Sequence, residues 1–194
     1  MRTLMPSFIT VPCLLLGACG ANSTSIAREN LNPLTASRYG DELADTMANL
    51  IINGDPVAED ETMKSIIQSE IARGKQIAED ARAIQNAGMM GALIPITTDT
   101  FGYGLFVENM LYLSSDFSVK PGAKLHVYLT TVVDPRDVEF PDATAIDLGV
   151  IQSTYGAQQY AVPTQSDPKL LRTLVLWDKT LKRIHGFAQL SKAF

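Results

Sequence analysis

The sequence predicts an α+β protein, an N-terminal helical hairpin followed by an antiparallel β-sandwich. Three observations predict it. Apolar residues recur at helical spacing over Ser37–Asn53 and again from Pro56 to Gln85. Near Gly88 the texture changes to short runs rich in Val, Ile, Leu, Tyr and Thr, punctuated by Gly, Pro and Asn. These runs follow one another without helices between them, which is the pattern of packed antiparallel sheets.

The chain opens with Arg2, an apolar run from Phe8 to Leu16, and Leu16-Gly17-Ala18-Cys19. A basic start, a short apolar stretch and small residues at the cut make residues 1–18 a secretory signal, too short to span a bilayer as a mature helix. The Leu-Gly-Ala-Cys ending resembles the lipobox of bacterial lipoproteins. That resemblance implies cleavage before Cys19, acylation of Cys19, and anchoring to a membrane through the N-terminal lipid. With Gly20 rather than Asp after the cysteine, it implies the outer membrane, facing the periplasm, where two membranes exist. Residues 19–34 read as a tether, polar and beginning Gly-Ala-Asn-Ser-Thr-Ser after the cysteine.

The helical hairpin is expected over residues 35–87. In its first helix Leu43, Met47, Leu50 and Ile51 share a face, and Gly54 stands where a C-terminal cap belongs. In its second helix Asp55 is the expected N-cap and Pro56 the first residue. Met63, Ile66, Ile67, Ile71, Ile77, Ala78, Ala81 and Ile84 form the expected apolar stripe, and Gly74 is a soft point inside it.

The sandwich is expected over residues 88–194. Strands are predicted at Leu93–Thr97, Phe101–Val107, Met110–Leu113, Leu125–Val132, Ile146–Gln152, Gln158–Val162, Thr173–Trp177 and Ile184–Leu190. Glu108-Asn109 reads as a two-residue hairpin turn, and Pro121-Gly122 as the centre of a type II turn. Phe101-Gly102-Tyr103-Gly104 lacks the strand-to-helix setting of a phosphate loop and reads as a bent strand. In Leu125–Leu129, Leu125, Val127 and Leu129 face one way, His126 and Tyr128 the other.

Composition narrows the function. Hydrophobic residues make up 46% of the 194-residue chain and charged residues 19%, as in an ordinary globular body. A formal charge of −5 gives no footprint for nucleic acid. The two cysteines are Cys13, inside the signal, and Cys19, so a lipidated mature chain would hold no free thiol and no disulfide.

Several ordered pieces of the second half are similar to the DM-thirteen domain. They are Phe117–Gly122 followed by Leu125–Leu129, then Ile146–Gly149, Gln159–Pro163, Leu174–Asp178 and Phe187–Leu190. They run from about Ala92 to Leu190, roughly half the chain. The resemblance implies a small extracytoplasmic β module, which in animals accompanies DOMON and cytochrome domains and is proposed to transfer electrons. It also implies a cysteine, the proposed redox group, after the tryptophan of the penultimate strand. Here that position is Asp178. A carboxylate cannot cycle between thiol and disulfide, so the resemblance carries over the fold and not the redox group. Asp178 is instead expected to hydrogen-bond, or to pair with Lys179 or Lys182.

The candidate binding surface is Trp177, Asp178, His126, Tyr128 and Tyr160. His126, His185 and Asp178 are the one set that could hold a transition metal, although solvent-facing or hydrogen-bonded strand histidines are the simpler reading, and no metal or cofactor is assigned. The acidic loop with Asp134, Asp137, Glu139, Asp142 and Asp147 lacks the opposed pair a glycosidase needs and the dense spacing of a calcium loop. No nucleophile, zinc or phosphate-loop motif is present. The sequence therefore points to a non-catalytic binding module with an unidentified envelope partner. An accessory electron-transfer protein using a bound metal or a partner's cofactor is the alternative, and a hydrolase the second alternative.

Overall fold

The computed structural model describes residues 32–192. The signal, Cys19 and the tether up to residue 31 lie outside the described residues. No helix among the described residues is long and apolar enough to cross a membrane.

The first helix, α1, is Pro33–Ile52. It begins earlier than the periodicity suggested, because Asn32 caps it: the Asn32 side chain accepts from Leu34 N at 3.0 Å and donates to Leu113 O at 2.7 Å. Asn32 is thus buried against the sheet, and residues 32–34 belong to the folded body rather than the tether. Gly54, at φ +64°, follows the helix in the left-handed conformation expected of a C-terminal glycine. Asp55 and Pro56 do not start the second helix. They start a single 3-10 turn, Pro56–Ala58, and α2 runs Glu61–Ala87 with Asp60 as its N-cap.

The hairpin closes on small residues. A Cβ on Gly40 would meet Gly74 O at 2.5 Å, and one on Gly74 would meet Gly40 O at 2.6 Å. Gly74, expected as a soft point, is where the two backbones come closest. Ala36, Ala44, Ala78 and Ala81 are buried along the same seam with Ile67. With so narrow a seam, much of the predicted stripe stays outside: Met63, Ile66 and Ile84 are exposed.

The strands are β1 (Met89–Ala92), β2 (Ile94–Pro95), β3 (Thr100–Phe101), β4 (Tyr103–Val107), β5 (Met110–Leu113), β6 (Ser118–Val119), β7 (Leu125–Thr130), β8 (Ile146–Val150), β9 (Gln158–Ala161), β10 (Thr173–Asp178), β11 (Arg183–Gln189) and β12 (Ser191–Lys192). One sheet has the order β12-β1-β4-β5-β9, the other β2-β11-β10-β7-β8, and β3 pairs with β6. Every pairing is antiparallel. The two large sheets pack as a sandwich around Phe106, Leu111, Leu113, Val127, Leu129, Leu174, Leu176, Ala188 and Leu190. The helices lie against the first sheet, α1 touching β5 and α2 touching β1 and β4. The predicted strand Phe101–Val107 is split at Gly102, whose φ of +106° bends it. Short strands β1, β6 and β12 carry too little alternation to stand out in the sequence.

Glu108 and Asn109, at φ +49° and +59°, form the predicted tight hairpin turn. Pro121-Gly122 does not form a type II turn, since Gly122 is absent from the left-handed region that turn requires. Gly122 is needed for space instead, as described below.

Candidate functional site

The strand β10 has two faces with different tasks. Leu174, Leu176 and Asp178 point into the sandwich; Val175 and Trp177 point outward, onto the open face of the second sheet. Strict alternation on β11 would put His185 outward too. A bulge opposite Leu176/Trp177 reverses this: Ile184 pairs with Trp177, Gly186 with Leu176, and His185 is the extra residue. The imidazole is thereby turned inward, beside Asp178.

On the inner side Asp178 and His185 are both fully buried. Ala123 N and Lys124 N donate to Asp178 at 2.6 and 3.3 Å, and Thr180 N and Leu181 N at 2.9 Å each. Burial opposes the Asp178 charge, but these four backbone donors hold its carboxyl below the ordinary range. The carboxylate thus ties together the approach to β7 and the β10–β11 turn. It does not pair with Lys179 or Lys182. His185 Nδ1 lies 3.2 Å from Thr98 Oγ1, and its Nε2 is 3.9 Å from Asp178 Oδ2 without a hydrogen bond. Burial lowers the His185 pKa, as does Arg183, while Asp178 acts the other way.

On the outer side the 131–145 loop folds across the sheet and drives Phe140 into it. Asp142 anchors the loop, accepting from Thr130 Oγ1 at 2.7 Å and Thr144 N at 2.8 Å. Phe140 packs edge-on to Tyr128, with centroids 5.5 Å apart, and to Trp177, at 5.3 Å. Arg136 sits 5.3 Å above the Phe187 ring and forms an ion pair with Asp134 at 2.5 Å. Between loop and sheet a recess of about 680 Å³ opens, floored by Tyr128, Phe140, Trp177 and Ile184 and rimmed by Lys179, Lys182 and Arg183.

At one side of this recess Asp147 gathers four donors. His126 Nδ1 donates at 2.8 Å, Gly149 N at 2.9 Å, and Lys179 Nζ and Tyr128 Oη at 3.0 Å each. Partial burial opposes the Asp147 charge, and these donors outweigh it, holding the carboxyl well below its ordinary value. Lys179 therefore belongs to Asp147 rather than Asp178. His126 Nε2 is buried without a hydrogen-bond partner.

The structure divides the expected surface. Trp177 and Tyr128 line the recess, and His126 flanks it through Asp147. Asp178 lies on the other face of the sheet. Tyr160 is in the core beside the first sheet, its hydroxyl donating to Gln158 Oε1 at 2.7 Å and accepting from Gln152 N at 3.0 Å. Burial pushes its pKa up to about 12, and its hydroxyl ties β9 to the backbone of Gln152, away from the recess. The proposed metal set is also divided, since His126 and His185 face opposite ways. No cluster of three or more metal-ligating side chains occurs among the described residues. Sequence reasoning did not place Phe140, Arg136 or Arg183 in the site. The signal for Phe140 was the single aromatic residue in the 131–145 loop.

Fold and site together define an antiparallel β-sandwich domain whose one open sheet face is roofed by a long loop. Residues 99–190, just under half of the chain, match the family model described as "Electron transfer DM13". No curated protein and no solved structure matches the chain.

Proposed function

We propose that this protein is a non-catalytic binding module of the cell envelope, held to a membrane by lipid on Cys19, with the recess under the 131–145 loop as its ligand face. The observation that carries the reading is the state of Asp178. By the resemblance it takes the position of the family's cysteine, and it accepts from four backbone N–H groups, two of them in the turn beside the recess. Among the described residues the hydroxyls lining the recess are those of Tyr128 and Thr97, and Thr97 donates to Ile184 O at 2.8 Å. The volume suits a small organic ligand, for which pockets of about 300–1,000 Å³ are usual.

The second reading is electron transfer with a partner's cofactor. The run of rings Tyr128, Phe140 and Trp177 favours it. Protein purified from its native membrane separates the two. The binding reading expects a diacylglyceryl mass on Cys19, no redox-active metal or haem in the optical spectrum, and no reversible couple in protein-film voltammetry. A couple that vanishes in Trp177→Phe would establish electron transfer instead, and an unmodified N-terminus elsewhere would remove the anchor.

A further inference from the structure

We infer that the recess under the 131–145 loop takes an organic anion, an acid group on an apolar body; this rests on the ligand-face reading above. The lining is apolar at its centre, with Ile96, Val138, Pro141, Ile184 and Trp177, and basic at its edge. Arg136 and Lys179 are matched by Asp134 and Asp147. Lys182 and Arg183 have no carboxylate partner among the described residues. Among the described residues Glu139 is the only carboxylate residue lining the recess.

This local excess of positive charge stands against a chain whose formal charge is −5. It is also built in. Asp178 Oδ1 accepts from both Thr180 N and Leu181 N, and Lys182 follows in the left-handed conformation at φ +51°. The buried carboxylate thus fixes the turn that carries Lys179, Lys182 and Arg183 to the rim. Asp178 is a positioning residue, and the cations are the groups that would meet the ligand. An acid group at that rim gains an ion pair, and an apolar body behind it covers the aromatic floor.

Trp177 is the only tryptophan in the chain and lies in the floor, so its fluorescence reports occupancy directly. A soluble form without the lipidated cysteine, residues 20–194, is titrated with anilinonaphthalene sulfonate and with phenylnaphthylamine, an uncharged probe of the same ring system. Saturable energy transfer from Trp177 to the sulfonate is expected, weakening with salt. The exposed double variant Lys182→Asp/Arg183→Glu keeps the left-handed turn accessible and should weaken sulfonate binding about tenfold, with little effect on the neutral probe. Competition by phosphatidylglycerol vesicles would assign the anion to a lipid headgroup, and competition by soluble naphthoate alone to a free acid. Equal binding of both probes, unchanged by the double variant, overturns the anion inference and leaves the ligand face standing. Failure of both probes to saturate overturns the ligand face itself.

Discussion

Gly122 and Asp178 fit so closely that a Cβ on the glycine would stand 2.5 Å from the carboxylate Oδ2 and 3.1 Å from His185 Cε1. The glycine is there for approach and not for a turn. The added methyl of Gly122→Ala must displace a buried carboxylate held by four backbone donors, or the buried His185 ring beside it. Overpacking of this kind costs about 1–3 kcal/mol. Urea denaturation should show that loss, with a lowered midpoint. An unchanged midpoint would mean that the contact relaxes freely.

Acid stability should fall in two separate windows. His185 has a folded pKa below its unfolded value near 6.5, so the unfolded chain takes the proton first and stability declines as pH drops below about 6.5. Asp147 and Asp178 are depressed below the ordinary carboxylate value, so their contribution is complete above about pH 4 and is lost as pH falls further. Urea midpoints measured from pH 8 to pH 3, as an outer range for these groups, should show both. His185→Gln should flatten the upper window only, and Asp147→Asn should lower the plateau and shrink the lower drop. Identical profile shapes in all three proteins would contradict the assignment.

A fragment of residues 88–194 should fold alone. Both apolar clusters of the sandwich are made of residues from Met89 onward. The helices add the Asn32 bond to Leu113 and cover the outer side of the first sheet. The fragment should melt cooperatively, at a lower temperature than the longer chain, with a β-type circular dichroism spectrum. Aggregation of the fragment beside a stable mature chain would show that the hairpin completes the fold.

The β4–β5 turn should accept improvement. Glu108 occupies a left-handed position at φ +49°, where its Cβ is unfavourable. Glu108→Asn with Asn109→Gly supplies the pair this turn prefers and should add roughly 0.5–1 kcal/mol. Asn109→Val, with a branched side chain at φ +59°, should instead cost about 1–2 kcal/mol. Thermal melts of the three proteins check the order.

The hairpin, the β-rich second half and the tight Glu108-Asn109 turn were legible because each rests on local rules: helical spacing, alternation, and the tolerance of Asn for positive φ. The opposed faces of His126 and Val127 followed from the same alternation. What could not be read were the places where one residue depends on a distant one. Gly74 is tight only because Gly40 crosses it.

The sequence by itself determined the class of fold, the order of its main elements, the domain resemblance, and that His126 and Tyr128 share a face opposite Leu125, Val127 and Leu129. Only the tertiary structure decided the site. The bulge in β11 turned His185 inward and separated it from His126. The backbone N–H groups of residues 123, 124, 180 and 181 claimed Asp178. The 131–145 loop laid Phe140 on the sheet and made a recess of an otherwise open face. The physical reason is the same in each case: alternation and capping act over a few residues, whereas a bulge, a buried carboxylate and a roofing loop are settled by which backbone groups and surfaces meet across the fold.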